Sequence, residues 1–233
     1  MSTSSIHFVH FGQFDAQCEI PMNLTSLEAF RAWITSDDAP EKGRIDYING
    51  RIEVNMSPED LYTHGTLKGE IHGSLHHLLK KSGLGHLFVD STRISCLEAS
   101  LSVEPDIVFV SKTSLAQGLI RPIPKAGQLD RYAEFEGAPD LVVEVISDSS
   151  LKKDTKKLPV SYFAAGIKEY WLVDARGEEL RFQLYRRGVS AYEDTPLDAE
   201  GYRYSEVLKH RFKLLRERDE TGIWDYDLLA EPA

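Results

Sequence analysis

The stretch Ala138-Pro139-Asp140-Leu141-Val142-Val143-Glu144-Val145-Ile146-Ser147, with Glu169-Tyr170-Trp171-Leu172-Val173 downstream, decides the fold. The first segment reads as a strand over 141–147. It is apolar on both faces, as in strands buried within a sheet. A helical pattern follows at 151–165 and stops at Gly166. A second strand then covers Glu169–Val173. Strand, crossover helix and strand make a parallel unit. A further strand at Leu180–Arg186 follows, with Gly177 in the turn. Working outward, the order predicts an α/β fold: a mixed β-sheet flanked by helices.

Upstream, Thr25-Ser26-Leu27-Glu28 is a capping-box pattern ahead of Leu27, Phe30 and Ile34 at helical spacing. That helix ends near Asp37-Asp38-Ala39-Pro40. Ile45–Ile48, Asn49-Gly50 and Arg51–Val54 predict a β-hairpin, because Asn-Gly suits the left-handed conformations of a tight turn. A second helix spans about 64–81, with Leu67, Ile71, Leu75, Leu78 and Leu79 as its apolar stripe and Gly83 as its stop. Strands are expected at 86–90, 92–98 and 105–110. A long Gly- and Pro-containing loop is expected from Lys112 to Pro139, a length that is often functional. The division expected is an extension over 1–24, a core domain over 25–190 and a C-terminal extension over 191–233 packed on the same domain.

Two carboxylates stand out. Glu144 lies mid-strand among aliphatic residues, and Asp106 follows Pro105 at the head of Ile107-Val108-Phe109-Val110. A carboxylate beside apolar strands is costly to desolvate without a partner. A hard divalent cation with oxygen ligands would serve both. Lysines follow at 152, 153, 156 and 157. Two acids and a lysine suit metal-assisted phosphodiester hydrolysis. Glu53, on the second hairpin strand, is the candidate third carboxylate; a surface strand position fits it equally. Asp140 reads as a turn cap. His64, His72 and His76 share a helix face, yet no third ligand stands at a telling spacing, so a polar flank is the simpler reading. No nucleophile elbow, phosphate-binding loop or dinucleotide glycine cluster is present.

These residues carry a resemblance. Pro105-Asp106 followed by Glu144 resembles the PD-(D/E)XK nuclease motif. The string 138–147, with Ala165-Gly166-Ile167-Lys168-Glu169-Tyr170-Trp171-Leu172-Val173-Asp174, is similar to the Uma2 family of restriction-endonuclease-like proteins. Gly50, Met56-Ser57-Pro58 and His64-Gly65 match the family's amino-terminal signature, and the likeness covers roughly 40–190. It implies a restriction-endonuclease-like core and a Mg²⁺- or Mn²⁺-dependent DNA endonuclease, with Asp106, Glu144 and the carbonyl of Val145 as metal ligands. One departure is Ile146 where the general motif has lysine. In the resembled family the lysine lies on the next helix, which leaves Lys153 and Lys157 as the candidates here.

The 233 residues carry a formal charge of −10. That counts against a protein that coats itself with nucleic acid. A bare carboxylate site lowers the count, and Arg203–Arg218, with six Lys/Arg against Glu206 and Glu217, leaves room for a local basic groove. The charge and Ile146 together motivate the rival reading, a catalytically inactive binding module. A metal-dependent hydrolase of another phosphoester is a third. No apolar run approaches a membrane span, and Met1–His10 lacks a signal-peptide pattern. Cys18 and Cys96 match no metal spacing and read as reduced thiols in a cytoplasmic protein. A homodimer is plausible for cutting two strands.

Overall fold

The Asn49-Gly50 turn adopts positive φ at both residues, 49° and 79°, and joins β3 (Arg44–Ile48) to β4 (Arg51–Asn55) as an antiparallel hairpin. This is the conformation that the Asn-Gly pair favours. The computed structural model describes residues 7–9, 18–40, 42–125 and 127–232. Ahead of the hairpin, β1 (His7–Val9) pairs with β2 (Cys18–Ile20). Helix α1 (Leu27–Ile34) is capped by Ser26, whose hydroxyl accepts from Ala29 N at 3.2 Å. It buries Leu27, Phe30 and Trp33 against Ile45 and Tyr47 of β3.

The strands form two six-stranded sheets rather than one. After the hairpin come α2 (Leu67–Ser82), β5 (Gly85–Val89), β6 (Ile94–Cys96), β7 (Leu101–Val103) and β8 (Ile107–Ser111). The segment 112–139, expected as a loop, instead holds α3 (Lys112–Ala116), β9 (Ile120–Pro124) and β10 (Tyr132–Gly137). Ser111 caps α3 by accepting from Ser114 N. β9 carries Pro122 and Pro124 but lies at the edge of its sheet, where missing N–H donors are tolerated. The first sheet runs β4-β3-β7-β6-β10-β9.

The remaining elements are β11 (Leu141–Val145), α4 (Leu158–Ala165), β12 (Glu169–Asp174), β13 (Arg181–Arg187) and β14 (Tyr192–Asp194), then β15 (Arg203–Ser205), β16 (His210–Arg218) and β17 (Trp224–Pro232). The central sheet runs β14-β13-β12-β11-β8-β5, with β11 and β12 parallel as the crossover unit requires. The last three strands form an antiparallel sheet of their own.

The two faces of the central sheet bury two cores. Val143, Val145, Ile107, Phe109 and Trp171 pack with α2 and with Phe212, Leu214, Tyr226 and Leu228 of the C-terminal sheet. Val142, Ile146, Val108, Val110 and Tyr170 pack with α4 and the first sheet. This double coverage is why β11 is apolar at both parities. The C-terminal strands are therefore part of the main core. Phe212 lies 4.8 Å from Trp171, ring to ring. Phe212→Ala is expected to lower the free energy of unfolding by about 3 kcal/mol or more. Urea titration measures it; a loss under about 1 kcal/mol would mean that the C-terminal sheet packs only loosely.

Candidate active site

Register alone sets the two acids side by side. Ile107 of β8 pairs with Val143 of β11, and the antiparallel ladder carried one residue further sets Asp106 across from Glu144. Alternation turns Glu144 to the face of Val142 and Ile146, the face covered by α4. Asp106 and Glu144 are 0% and 1% exposed. Their shared partner is Arg44, from the start of β3. Its Nη2 lies 2.7 Å from Asp106 Oδ1 and its Nη1 3.9 Å from Glu144 Oε2.

Both oxygens of Asp106 accept hydrogen bonds. Val145 N donates to its Oδ2 at 2.7 Å, and His64 Nε2 lies 3.6 Å from the same oxygen. Burial would raise its pKa, but the His64 contact and the Arg44 charge prevail and hold it below the ordinary carboxylate range. Glu144 differs. Tyr162 of α4 donates to its Oε1 at 2.5 Å, while Oε2 is buried and has no hydrogen-bond partner. Burial first, then the charges of Asp106 and Asp154, raise its pKa well above the ordinary value. Glu169, another buried strand carboxylate, shows what a structural acid looks like: Trp171 Nε1, Ser205 Oγ and Val207 N all donate to it.

The turn between β11 and α4 supplies the lysines. It is π-helical over Lys153–Lys157, a geometry often found at functional sites. Lys153 Nζ donates to Asp46 Oδ2 at 2.9 Å. Burial disfavours its ammonium, but Asp46 and then Glu144 outweigh this and raise its pKa. Lys157 pairs instead with Glu53 at the margin of the site. Asp46 and Glu53 are cross-strand neighbours, so the two lysines clamp successive strands of the hairpin. Glu53 thus stands with Lys157, and Lys153 stands within the field of Glu144. Asp154 is also buried, and burial raises its pKa to about 6. Asp140 does close a turn: it accepts from Ser111 N, Ser114 Oγ and Lys168 Nζ.

A second π-helical turn, Leu61–Thr66, precedes α2 and carries His64 inward. His64 parts from the histidine stripe. His72 and His76 remain together on α2, their rings 5.6 Å apart, whereas His64 is 3% exposed and faces Asp106. Its Nδ1 lies 3.0 Å from Glu59 Oε2, outside hydrogen-bond alignment. Lys68 holds that Glu59 oxygen at 2.8 Å. Glu59, His64 and Asp106 offer ligand atoms within 4.8 Å of one another. A cavity of about 370 Å³ is lined by Arg44, Glu59, His64, Lys68 and Val145 among others. Arg44, Asp46, Glu59 and Tyr162 were missed in the sequence. The hairpin alternation, which puts 44 and 46 on one strand face, is the signal that could have flagged the first two.

Within the basic run Arg203–Arg218, Lys209 lines a cavity with Lys168, Arg186 and Arg187, whereas the two arginines that follow are tied up in the fold. Arg211 pairs with Asp198, Glu200 and Glu231; Arg216 donates to the carbonyls of Ala175, Gly177 and Glu178. Cys96 is buried and free; the side chain of Cys18 lies outside the described residues. Among the described residues no helix is long and apolar enough to cross a membrane.

The family described as Uma2, "Putative restriction endonuclease", matches residues 27–214. A crystal structure described as "a putative nuclease belonging to DUF820", from Anabaena variabilis ATCC 29413, aligns with a TM-score of 0.50 at 18% identity. It covers 76% of this chain and 90% of that one. That likeness establishes a shared nuclease-like fold. No curated protein matches the chain.

Two outcomes follow from the site's charges. Arg44→Met removes the guanidinium that Asp106 and Glu144 share. It is expected to cost about 3 kcal/mol or more in chemical denaturation, and Asp106→Asn in the same chain should recover part of the loss. For His64, burial disfavours the imidazolium, but Asp106 and Glu59 outweigh it and raise the pKa from 6.5 to about 9. The folded state holds this proton more tightly than the unfolded one. The stabilisation is therefore complete below pH 6.5 and is lost as pH rises towards 9. The denaturation midpoint without added metal should fall across that window, and the fall should shrink in His64→Asn. Equal falls in both chains would assign the ionisation elsewhere.

Proposed function

The chain belongs to the Uma2 family, and we propose that it is a divalent-cation-dependent endonuclease hydrolysing phosphodiester bonds of DNA. One observation carries this reading: Glu144 Oε2 is buried, lacks a hydrogen-bond partner and lies beside Asp106 on adjoining strands. A carboxylate oxygen in that state calls for a ligand. The donor set of two carboxylates, with the carbonyl of Val145 as a further oxygen, fits Mg²⁺ or Mn²⁺. When bound, the cation supplies Lewis-acid polarisation of the phosphate and an acidified water.

The chain's own residues would do the rest. Tyr162 holds the Oε1 edge of Glu144 and leaves Oε2 for the ion. Val145 N–H and Arg44 fix Asp106. Lys153 holds a permanent positive charge near Glu144 and is assigned the role of the missing motif lysine, stabilising negative charge that builds on the phosphate. Lys157 and Glu53 are assigned to holding the hairpin against the helix. The reading takes DNA in the cytoplasm as substrate, and it accommodates a homodimer for cutting both strands.

A second reading has one observation in its favour. The Arg44 guanidinium already neutralises Asp106, so a nuclease fold that binds without cutting would be stable. Plasmid cleavage separates the two. With millimolar Mg²⁺ or Mn²⁺ the wild type should nick or linearise supercoiled DNA, and Glu144→Ala should be slower by roughly 100-fold or more, since metal-borne charge stabilisation amounts to several kcal/mol. Cleavage that survives the substitution would remove Glu144 from the site. No cleavage and no ion binding by the wild type would favour the binding module.

A further inference from the structure

Glu59, His64 and Asp106 arrive from three separate segments: the loop leaving β4, the π-helical turn before α2, and the head of β8. One ligand atom from each lies within 4.8 Å of the others, and Glu59 and His64 also line the cavity of about 370 Å³. We propose that they form a mixed nitrogen–oxygen cation position, in which His64 ligates the ion directly and makes the site prefer Mn²⁺ over Mg²⁺. The inference rests on the reading of Asp106 as a metal ligand and goes beyond it in bringing in His64 and Glu59.

Three observations support it. The His64 imidazole is buried, yet its Nδ1 faces a carboxylate oxygen at 3.0 Å without hydrogen-bond alignment. The loop is built to hold this arrangement: Asp60 Oδ1 accepts from Tyr62 N at 3.0 Å and Thr63 N at 2.7 Å, which fixes the turn between Glu59 and His64. Lys68, from α2, anchors Glu59. Finally, Arg44, 2.7 Å from Asp106, lies 3.9 Å from Glu144 Oε2, which is buried without a hydrogen-bond partner.

The donor types set the selectivity. Mg²⁺ prefers an all-oxygen, near-octahedral shell and gives up water reluctantly. An imidazole nitrogen suits later first-row ions, and affinity at a given nitrogen–oxygen site rises from Mn²⁺ onward. Glu59, His64 and Asp106 supply three ligands, and the cavity of about 370 Å³ has room for waters in the remaining positions.

The test uses Mn²⁺ itself as probe on the full chain, read by electron paramagnetic resonance. The wild type should bind Mn²⁺ and show ¹⁴N coupling from a directly ligated imidazole. His64→Gln should abolish that coupling and weaken Mn²⁺ binding by roughly 10- to 100-fold, with a smaller change for Mg²⁺; His72→Gln should leave the coupling intact. Mn²⁺ bound to the wild type without ¹⁴N coupling, or coupling that persists in His64→Gln, overturns the inference and leaves the Asp106–Glu144 site standing. Failure of the wild type to bind Mn²⁺ at millimolar concentration overturns both. The nitrogen coupling is read on the wild type, so the test holds even if a variant fails to fold.

Discussion

Two carboxylates on neighbouring strands, both out of water, would repel one another and the fold would pay for both. Arg44 resolves this constraint. Its guanidinium touches Asp106 directly and reaches Glu144, and it comes from a hairpin that is remote in sequence. Much of the architecture serves that contact. The β3–β4 hairpin must be carried to the end of β11, and its position is held by Lys153 on Asp46 and by Lys157 on Glu53. An isolated buried pair is weak evidence of stability. Here the ion pairs form a connected set whose geometry leaves one oxygen of Glu144 free. The arrangement is better explained by a need for that oxygen than by a need for stability.

The comparison with Glu169 sharpens this. Both glutamates are buried in adjacent parallel strands, 1% exposed. Glu169 receives three hydrogen bonds and ties the C-terminal sheet to the central one. Glu144 receives one from a side chain, on one edge only. In both, burial raises the pKa, but the Glu144 shift is compounded by neighbouring acids. The sequence shows both as acids within apolar strands. Only the three-dimensional neighbours separate a staple from a site.

The parts of the fold that were legible were those with local causes. Asn49-Gly50, the 3.6-residue stripe of α2 and the doubly apolar β11 each announce their structure within a few residues, and each is found as expected. The segment 112–139 was misread because prolines and glycines dominate its local signal, while its strands are stabilised by pairing with β6 and with each other. The division of strands into two sheets was equally hidden, since pairing partners are set at long range. Within the site, Asp106 and Glu144 were legible because an acid in an apolar strand violates a local rule. Arg44 and Asp46 are marked only by sharing one face of a hairpin strand, and Glu59 and Tyr162 obey their local patterns. His64 was visible but grouped with its helix neighbours; the π-helical turn rotates it away from them.

Those two π-helical turns have a further meaning. An α-helix advances about 100° per residue, and a π turn accommodates one residue more than an α turn would. Lys153 and Asp154 in one turn, and His64 in the other, are thus aimed by the number of residues around them. Removing a single neighbouring residue, such as Thr155 from the first turn or Tyr62 from the second, would swing side chains of the site by roughly a third of a turn, with every chemical group at the site still present. The site is specified by chain length as well as by residue identity, and a one-residue deletion there amounts to a functional substitution at positions that have not themselves changed.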